Sequence, residues 1–269
     1  INKDITFTPR LYTKDKLLLQ SEYRHVNKDS KHVSDFGILS EKDKNSKSHF
    51  FYVYNKNLNY LSFEESNLDL QIQQTSNDTY LKANKIESSF TNDDNDVLQS
   101  SLGLDLYSED LTIDAEFKVY ENLNKDKNDR YEFILPKLKL IKNIENRTSL
   151  NGDFYLTSDS FLKNYETNIF ETVNINDLIF NSNPKITKKG FYNNYDFIFK
   201  NVNSDSQNSN KYKKDNHYFS GLFQFNSSLP LVKETKNYKN IIKPKTSIKI
   251  SPKNNTKNIS GEVNRLDVT

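Results

Sequence analysis

Apolar and polar residues alternate along residues 111–123, LTIDAEFKVYENL, and this pattern constrains the fold more than any other feature of the chain. Successive side chains of a β-strand point to opposite faces of the sheet, so a period of two predicts a strand with one apolar and one polar face. The two faces would carry Leu111, Ile113, Ala115, Phe117 and Val119 on one side, and Thr112, Asp114, Glu116 and Lys118 on the other.

The same alternation recurs along the chain. Residues 101–107 show it directly before the short link Ser-Glu-Asp at 108–110, which predicts a hairpin with 111–123. Further alternating stretches are found at 67–74, 168–176, 195–200, 218–226 and 243–250. We therefore predict an all-β, antiparallel protein with about a dozen strands of about 8 to 11 residues each.

Two prolines interrupt this pattern. Pro9 lies inside the alternating stretch 4–12, and because proline has no N–H to donate, it predicts an edge strand there. At 131–140 the apolar parity changes around Pro136, which is typical of a β-bulge.

The composition excludes several classes of protein. Hydrophobic residues make up 34% of the chain, but 16 Tyr and 18 Phe argue against disorder and favour strands with one apolar face. The net charge of +2 gives no reason to expect a nucleic-acid partner. The absence of Cys excludes a disulfide framework or a thiolate metal site in this stretch.

Alternating strands suit either a soluble sandwich or a membrane β-barrel. Three features favour the barrel: strands long enough to cross the hydrocarbon layer, polar faces charged along their length, and aromatic residues near strand ends. The aromatic clusters are Phe50, Phe51, Tyr52 and Tyr54 in one place, and Tyr192 and Tyr195 in another. In a barrel, Thr112, Asp114, Glu116 and Lys118 would face the lumen, and Leu111, Ile113, Phe117 and Val119 would face lipid.

Nothing in the sequence predicts catalysis. The four histidines, His25, His32, His49 and His217, lack the spacing of metal ligands, and the neighbouring carboxylates Asp114 and Glu116 suit a solvated strand face better than a catalytic pair. Gly-rich phosphate loops, nucleophile elbows and His-Glu-x-x-His motifs are absent. We expect no catalytic residue, no metal and no cofactor.

The polar connectors predict how the strands are joined. Long polar stretches at 40–48, 91–96, 122–130 and 201–216 alternate with short turns, which predicts long loops at one end of a barrel and short turns at the other. No composition change marks a domain boundary, so residues 1–269 are interpreted as one partial barrel domain. The chain begins with Ile1 and contains no Met, and we expect it to be an interior piece of a longer protein.

Several stretches resemble one protein family in their order and spacing. DITFTPRLY (4–12) followed by LLLQSEYRH (17–25), with its Glu-Tyr-Arg core, resembles the start of the barrel of the LPS-assembly protein LptD. SNDTYL at 76–81 also fits that family. Three later stretches resemble its alphaproteobacterial branch, namely INDLIFNS (175–182), SGLFQFNSSLPL (220–231) and KPKTSIKISP (243–252).

The resemblance implies a function and a location. Members of this family are outer-membrane barrels of Gram-negative bacteria that insert lipopolysaccharide into the outer leaflet. The implied partners are lipopolysaccharide, an LptE-like plug lipoprotein, an LptA-like periplasmic bridge and outer-membrane lipid. This chain would be the first part of the barrel, without the periplasmic jelly-roll and the closing strands.

The resemblance also gives Pro9 a role, in the first strand of a lateral gate where the first and last strands of the barrel meet. Two other functions are compatible with the same pattern. One is another outer-membrane barrel, either a porin or a TonB-dependent transporter, and the other is a soluble, secreted β-rich adhesin.

Overall fold

The computed structural model describes residues 2–13, 15–60, 62–90, 96–212, 215–236 and 238–251. The protein is all-β, with 69% of the described residues in strands. The described part of the chain contains a single short α-helix, α1, Tyr80–Asn84. Among the described residues, no helix has the length and apolar character needed to cross a membrane.

Within these described ranges, sixteen strands follow one another. Their bounds are β1 Lys3–Thr13, β2 Lys16–Val26, β3 Ser30–Glu41, β4 Lys47–Asn57, β5 Glu65–Thr75, β6 Val97–Tyr107, β7 Leu111–Asn122, β8 Tyr131–Ile144, β9 Gly152–Tyr165, β10 Ile169–Ser182, β11 Lys185–Ile186, β12 Tyr192–Gln207, β13 Asn216–Ser228, β14 Leu231–Glu234, β15 Lys239–Ile242 and β16 Lys245–Ile250.

The strands form one large antiparallel sheet in which neighbours in sequence are mostly neighbours in space. The order runs from β1 to β10 without a break and continues with β12, β13 and β16, while β11 pairs with β12. Strands β14 and β15 form a separate hairpin. The sheet is not closed, so the all-β antiparallel prediction is confirmed, whereas the barrel stays a prediction.

The described residues fall into two compact units. Unit 1 comprises residues 1–138 and 161–170, and unit 2 comprises 139–160 and 171–269. In unit 1 the strands pair with Phe36 opposite Phe50 and Leu102 opposite Phe117, and the register of β1 with β2 shifts between Leu11 and Thr13. In unit 2, β13 pairs with β12 on one side and with β16 on the other, so that Phe225 lies between Tyr195 and Ile248.

The hairpin predicted at 101–123 is confirmed. Strands β6 and β7 pair from Val97 opposite Asn122 to Tyr107 opposite Thr112. The turn between them is closed by Ser108 and Leu111, whose backbone amides donate to each other's carbonyl oxygens at 2.8 and 3.2 Å.

Other sequence expectations need correction. The main strands are longer than expected, and β12 alone spans 16 residues. The stretch 201–216 was expected to be a loop, but β12 continues to Gln207 and β13 begins at Asn216. Polar side chains extend these strands because they bond to neighbouring strands: Asn201 accepts a hydrogen bond from Asn176 of β10 at 3.4 Å, and Asn203 contacts His217 of β13 at 2.9 Å.

The contrast between short turns and long loops is present only in part. In unit 1, one end of the sheet carries the connections 76–96 and 123–130, but also the short link after β1. The opposite end carries 27–29 and 108–110, together with the longer connection 58–64. Most of the expected connector 91–96 lies outside the described residues.

Pro136 lies inside β8, which continues through it from Tyr131 to Ile144. The Leu135–Pro136 peptide bond is cis. Before the proline, Glu132 forms an ion pair with Lys163 of β9 at 2.8 Å. The β-bulge at Pro136 stays a prediction.

Candidate functional site: one uncovered and one covered face

The strand pairings of unit 1 divide its sheet into two faces, because residues directly opposite each other in a pair point to the same side. One face, named the apolar face, extends from β1 to β7 and is largely apolar, although it also carries polar residues such as Ser21 and Ser34. It comprises Ile5, Phe7, Pro9, Leu11, Leu17, Leu19, Tyr23, Phe36, Ile38, Phe50, Tyr52, Tyr54, Leu68, Leu70, Ile72, Leu102, Leu104, Leu106, Ile113, Ala115, Phe117 and Val119.

Many of the large side chains on the apolar face are exposed. Phe7 exposes 60% of its surface and Leu11 exposes 75%, and Phe117 is still 43% exposed in the middle of β7. Single exposed hydrophobic residues are normal in soluble proteins, but a contiguous apolar surface over seven strands is not. This face needs an apolar environment or a partner.

The predicted lipid-facing and lumen-facing residues of β7 lie on opposite faces of the sheet. Leu111, Ile113, Phe117 and Val119 have the parity of the apolar face, and Phe117 lies opposite Leu102. The opposite side, named the polar face, carries Thr112, Asp114, Glu116 and Lys118. The Lys118 ammonium group forms an ion pair with Glu116 at 2.7 Å, so the charges of this strand are partly balanced on the polar face itself.

Pro9 lies in the middle of β1, opposite Leu19 of β2, and belongs to the apolar face. Strand β1 is the first strand in the order of the sheet, and the described residues provide it with one neighbour, β2. Within the described residues β1 is therefore an edge strand, in agreement with the prediction from Pro9, whereas the role of Pro9 in a gate stays a prediction. A proline is tolerated there because an edge strand needs ladder hydrogen bonds on one side only.

The polar face of β1–β5 is covered by residues 76–90, named the 76–90 segment, which leaves β5 and folds back over the sheet. The segment contains α1 and contributes Tyr80, Leu81 and Ile86 to a buried apolar cluster. From the sheet, Leu18, Leu39 and Phe51 of the polar face belong to that cluster, together with Leu98 near the start of β6 and Leu123 after β7. In β2–β4 the packed core of unit 1 therefore lies on the polar face, beneath the segment.

Beneath the segment, a buried polar network joins three strands to α1. The Gln20 amide donates to both carboxylate oxygens of Asp35, at 3.1 and 2.9 Å, and also to the Glu87 carbonyl at 3.0 Å. His49 bridges Asp35 at 3.3 Å and the Tyr80 hydroxyl at 3.2 Å. Burial raises the pKa of Tyr80 well above its ordinary value, and the Asp35 charge adds to that shift, so this phenol stays protonated.

Gly37 makes room for this network. An added Cβ at position 37 would lie 2.3 Å from Cε1 and 2.7 Å from Nδ1 of the His49 ring, which is closer than carbon and nitrogen atoms approach in folded proteins. His49 can lie flat over β3 only because residue 37 has no side chain. The sequence contains this signal as one of only six glycines, but nothing in it identifies the histidine across the strand.

Charged residues fasten the segment to the neighbouring connection between β7 and β8. The Arg130 guanidinium group contacts Asp78 at 2.6 Å and Glu121 at 3.5 Å, and it is largely buried. Asp78 raises the already high pKa of Arg130, which keeps this residue charged. Arg130 also lines a cleft of about 550 Å³ in which Lys163 and Lys125 are each paired with a carboxylate. These ion pairs join residues on the walls of the cleft to one another.

Unit 2 repeats the division into two faces. One side of β12, β13 and β16 is aromatic and apolar, and it comprises Tyr195, Phe197, Phe199, Phe219, Phe223, Phe225, Ile248 and Ile250. Phe219 exposes 66% of its surface. The other side buries charge, because Lys200 forms an ion pair with Asp177 at 2.7 Å and Asp196 accepts a hydrogen bond from Asn226 at 3.0 Å.

The aromatic clusters predicted from sequence are only partly on one face. Phe50, Tyr52 and Tyr54 lie on the apolar face with His25 and His32, whose rings stack with centroids 5.6 Å apart. Phe51 is fully buried on the polar face, so its assignment to an interfacial cluster was wrong. Its parity is opposite to that of its neighbours, which the sequence shows but which its aromatic character obscured.

The four histidines are distributed over several elements. His49 is buried in the polar network, whereas His217 contacts Asn203 at 2.9 Å in unit 2. Among the residues with described positions, no three His, Cys, Asp or Glu side chains are grouped so that they could hold a metal ion. The candidate functional feature is the pair of sheet faces described above.

Comparison with known proteins gives no family assignment: no family model matches the chain, and no curated protein matches it.

Proposed function

We propose that this chain forms part of the wall of an outer-membrane β-barrel in a Gram-negative bacterium, with the apolar face toward lipid and the polar face toward a hydrated lumen. The single observation that carries the proposal is the placement of the core. The buried hydrophobic side chains of β1–β5 all lie on the polar face, where the 76–90 segment packs, and the apolar face is left uncovered. A soluble sandwich would bury the apolar face instead.

Strand length supports the same environment. The strands from β1 to β7 have 11 or 12 residues, and β12 has 16. A tilted strand needs about 9–11 residues to cross the hydrocarbon layer. An uncovered sheet of this length would bury its apolar side chains in lipid while its polar face remained hydrated.

We further propose that the barrel transfers lipopolysaccharide to the outer leaflet, without catalysis. The support is the resemblance of the motifs at 4–12 and 17–25 to the LptD family and the location of Pro9 on an edge strand. A hydrated lumen accommodates the glycan, and a lateral opening beside β1 lets the acyl chains enter lipid. In this proposal the other side of the opening is the last strand of the complete barrel, and the partners are an LptE-like plug and an LptA-like bridge.

Substitution of Pro9 tests the transfer step. In the full-length protein, Pro9→Ala restores a backbone donor at the edge, which would strengthen pairing at the seam and slow the appearance of new lipopolysaccharide at the cell surface. A missing hydrogen bond in an apolar medium costs several kcal/mol, so the effect on opening should be large. Thr8→Ala, one residue away, is the control and should leave the export rate unchanged. Equal export in Pro9→Ala and wild type would contradict the gate.

The rival functions differ in simple observations. A porin or TonB-dependent transporter would also show heat-modifiable mobility on gels, but the export rate would not respond to Pro9→Ala. A soluble adhesin would partition into the aqueous phase without detergent and would show no heat-modifiable form. The location of the core on the polar face argues against the adhesin.

A further inference from the structure

Two side chains of the edge strand reach across the polar face to the end of helix α1. Arg10 donates from Nη1 to the Lys85 carbonyl at 2.8 Å and to the Asn84 carbonyl at 3.5 Å. The Tyr12 hydroxyl donates to the same Asn84 carbonyl at 2.9 Å. Arg10 and Tyr12 come directly after Pro9 on β1, and both side chains lie on the polar face.

Arg10 and Tyr12 bind backbone carbonyl groups at the C-terminal end of α1, which have no hydrogen-bond donor within the helix. The last carbonyls of a helix have no amide within the helix to bond to, and α1 ends at Asn84, with Lys85 in the left-handed region at a φ of 47°. Side chains from β1 therefore supply donors that α1 lacks. The contact serves both partners, since β1 is an edge strand with a neighbour on one side only.

The far end of the same helix is anchored in the interior. Tyr80 is fully buried, packs in the apolar cluster and contacts His49 of β4 through its hydroxyl. Gln20 and Glu22 of β2 bind the following stretch, at the Glu87 carbonyl and the Ser89 hydroxyl. The 76–90 segment is thus fixed to β2 and β4, and from that fixed position it holds β1.

We propose that the 76–90 segment is a latch on the edge strand, with Arg10 and Tyr12 as the positioning residues that close it. The latch gives β1 a second tether besides its ladder to β2. Opening of the edge beside Pro9 then requires the Arg10 and Tyr12 contacts to break. This inference rests on the proposed function for its biological meaning, because an edge that opens matters in a barrel with a lateral exit. The tether itself is a property of unit 1.

Hydrogen exchange of the full-length protein in detergent tests the latch. The variant with both Arg10→Ala and Tyr12→Phe should raise the exchange rate of β1 amides at least about tenfold, because two net hydrogen bonds, one from a charged donor, are lost. Tyr12→Phe alone deletes a single oxygen atom and should give a smaller increase of about threefold or more. Arg10→Lys, which keeps a charged donor, should restore part of the protection.

Two controls lie on the same hairpin. Tyr23→Phe and Lys3→Ala change side chains of the same types on the apolar side of β1 and β2, and neither should alter exchange in β1. The decisive variant is Tyr80→Phe, which weakens the anchor at His49 and leaves β1 itself untouched. If the segment is a latch, Tyr80→Phe also accelerates exchange in β1. If Tyr80→Phe loosens 76–90 while β1 keeps its protection, or if the double variant leaves β1 protected, the latch is contradicted.

The same samples separate this inference from the proposed function. Heat-modifiable mobility and insertion into liposomes are measured on the wild-type protein in parallel. Failure to insert contradicts the membrane proposal, while the exchange comparison in detergent still decides the latch. If the double variant fails to fold, the exchange rates of β1 amides in Tyr12→Phe and Tyr80→Phe decide whether the segment is a latch.

Discussion

Gly37 is the residue on which the buried network of unit 1 depends most directly. In Gly37→Ala the new methyl group would displace the His49 ring and separate Asp35 from Tyr80. Overpacking and a broken buried hydrogen-bond chain together should lower the free energy of unfolding by about 1–3 kcal/mol, measured by denaturant titration of the folded protein.

Gly103 offers the matched control for this substitution. It also lies on the polar face, but the nearest atom to an added Cβ there is 3.8 Å away, on Asp69. Gly103→Ala should therefore change stability by less than about 0.5 kcal/mol, or raise it slightly by restricting the unfolded chain. Equal losses in the free energy of unfolding of the two variants would show that the space beside His49 does not explain the destabilisation by Gly37→Ala.

The ion pair between Lys200 and Asp177 should be the most costly one to break in unit 2. The side chains expose only 10% and 19% of their surface, so an unpaired charge at Lys200 could not be fully solvated. We predict that Asp177→Asn destabilises the protein by about 2–4 kcal/mol in denaturant titration. The exposed pair of Lys239 and Glu234 is the control, and Glu234→Gln should cost less than about 0.5 kcal/mol. Similar losses in the free energy of unfolding of both variants would contradict the claim that burial makes the Lys200–Asp177 pair more costly to break.

At the level of elements, the connection from β5 to β6 is fastened at its far end by Asp96. Lys82 of α1 lies 2.5 Å from this carboxylate, and hydrogen bonds from Lys82 and Asn124 lower the pKa of Asp96. A lowered pKa in the folded state stabilises the fold above the unfolded value of about 3.9, and this stability is lost as the pH falls through the folded pKa.

NMR titration of isotope-labelled aspartate measures this shift. The midpoint of Asp96 should lie below about 3.9 in the wild type and rise toward that value in Lys82→Met. Lys85→Met changes a neighbouring lysine of the same connection and should leave the midpoint where it is. An unshifted midpoint in the wild type would show that the Lys82 contact does not persist in solution.

The elements also show what the sequence could predict and what it could not. Period-two alternation located β6, β7 and their turn, because side-chain parity is a local property of a strand. The 76–90 segment could not be predicted in this way, since its packing depends on Phe51 and Leu39, distant in sequence, and on the space left by Gly37. Likewise, the Asn-rich residues 201–207 resemble a loop in sequence, because the strand residues that bind Asn201 and Asn203, namely Asn176 of β10 and His217 of β13, are distant in sequence.

At the scale of the whole molecule, each unit has an uncovered apolar side and a polar side that holds buried groups. In unit 1 the covering element is the 76–90 segment, and in unit 2 the buried charges pair directly with one another. The alternation predicted the two faces, but not that the polar one would be packed. The candidate site was thus predictable as a pair of faces on β7, and the buried network beneath α1 was not.

The most direct test of the account is the environment of consecutive residues along β7. Residues 1–269 contain no cysteine, so single cysteines can be introduced at positions 111–119 for spin labelling. The full-length protein is reconstituted into liposomes after any cysteine outside this stretch has been replaced by serine. Collision rates with oxygen, which concentrates in lipid, should be high at 111, 113, 117 and 119. Collision rates with a water-soluble nickel complex should be high at 112, 114, 116 and 118. High nickel accessibility at every position, or the loss of the period of two, would contradict a membrane-facing apolar face.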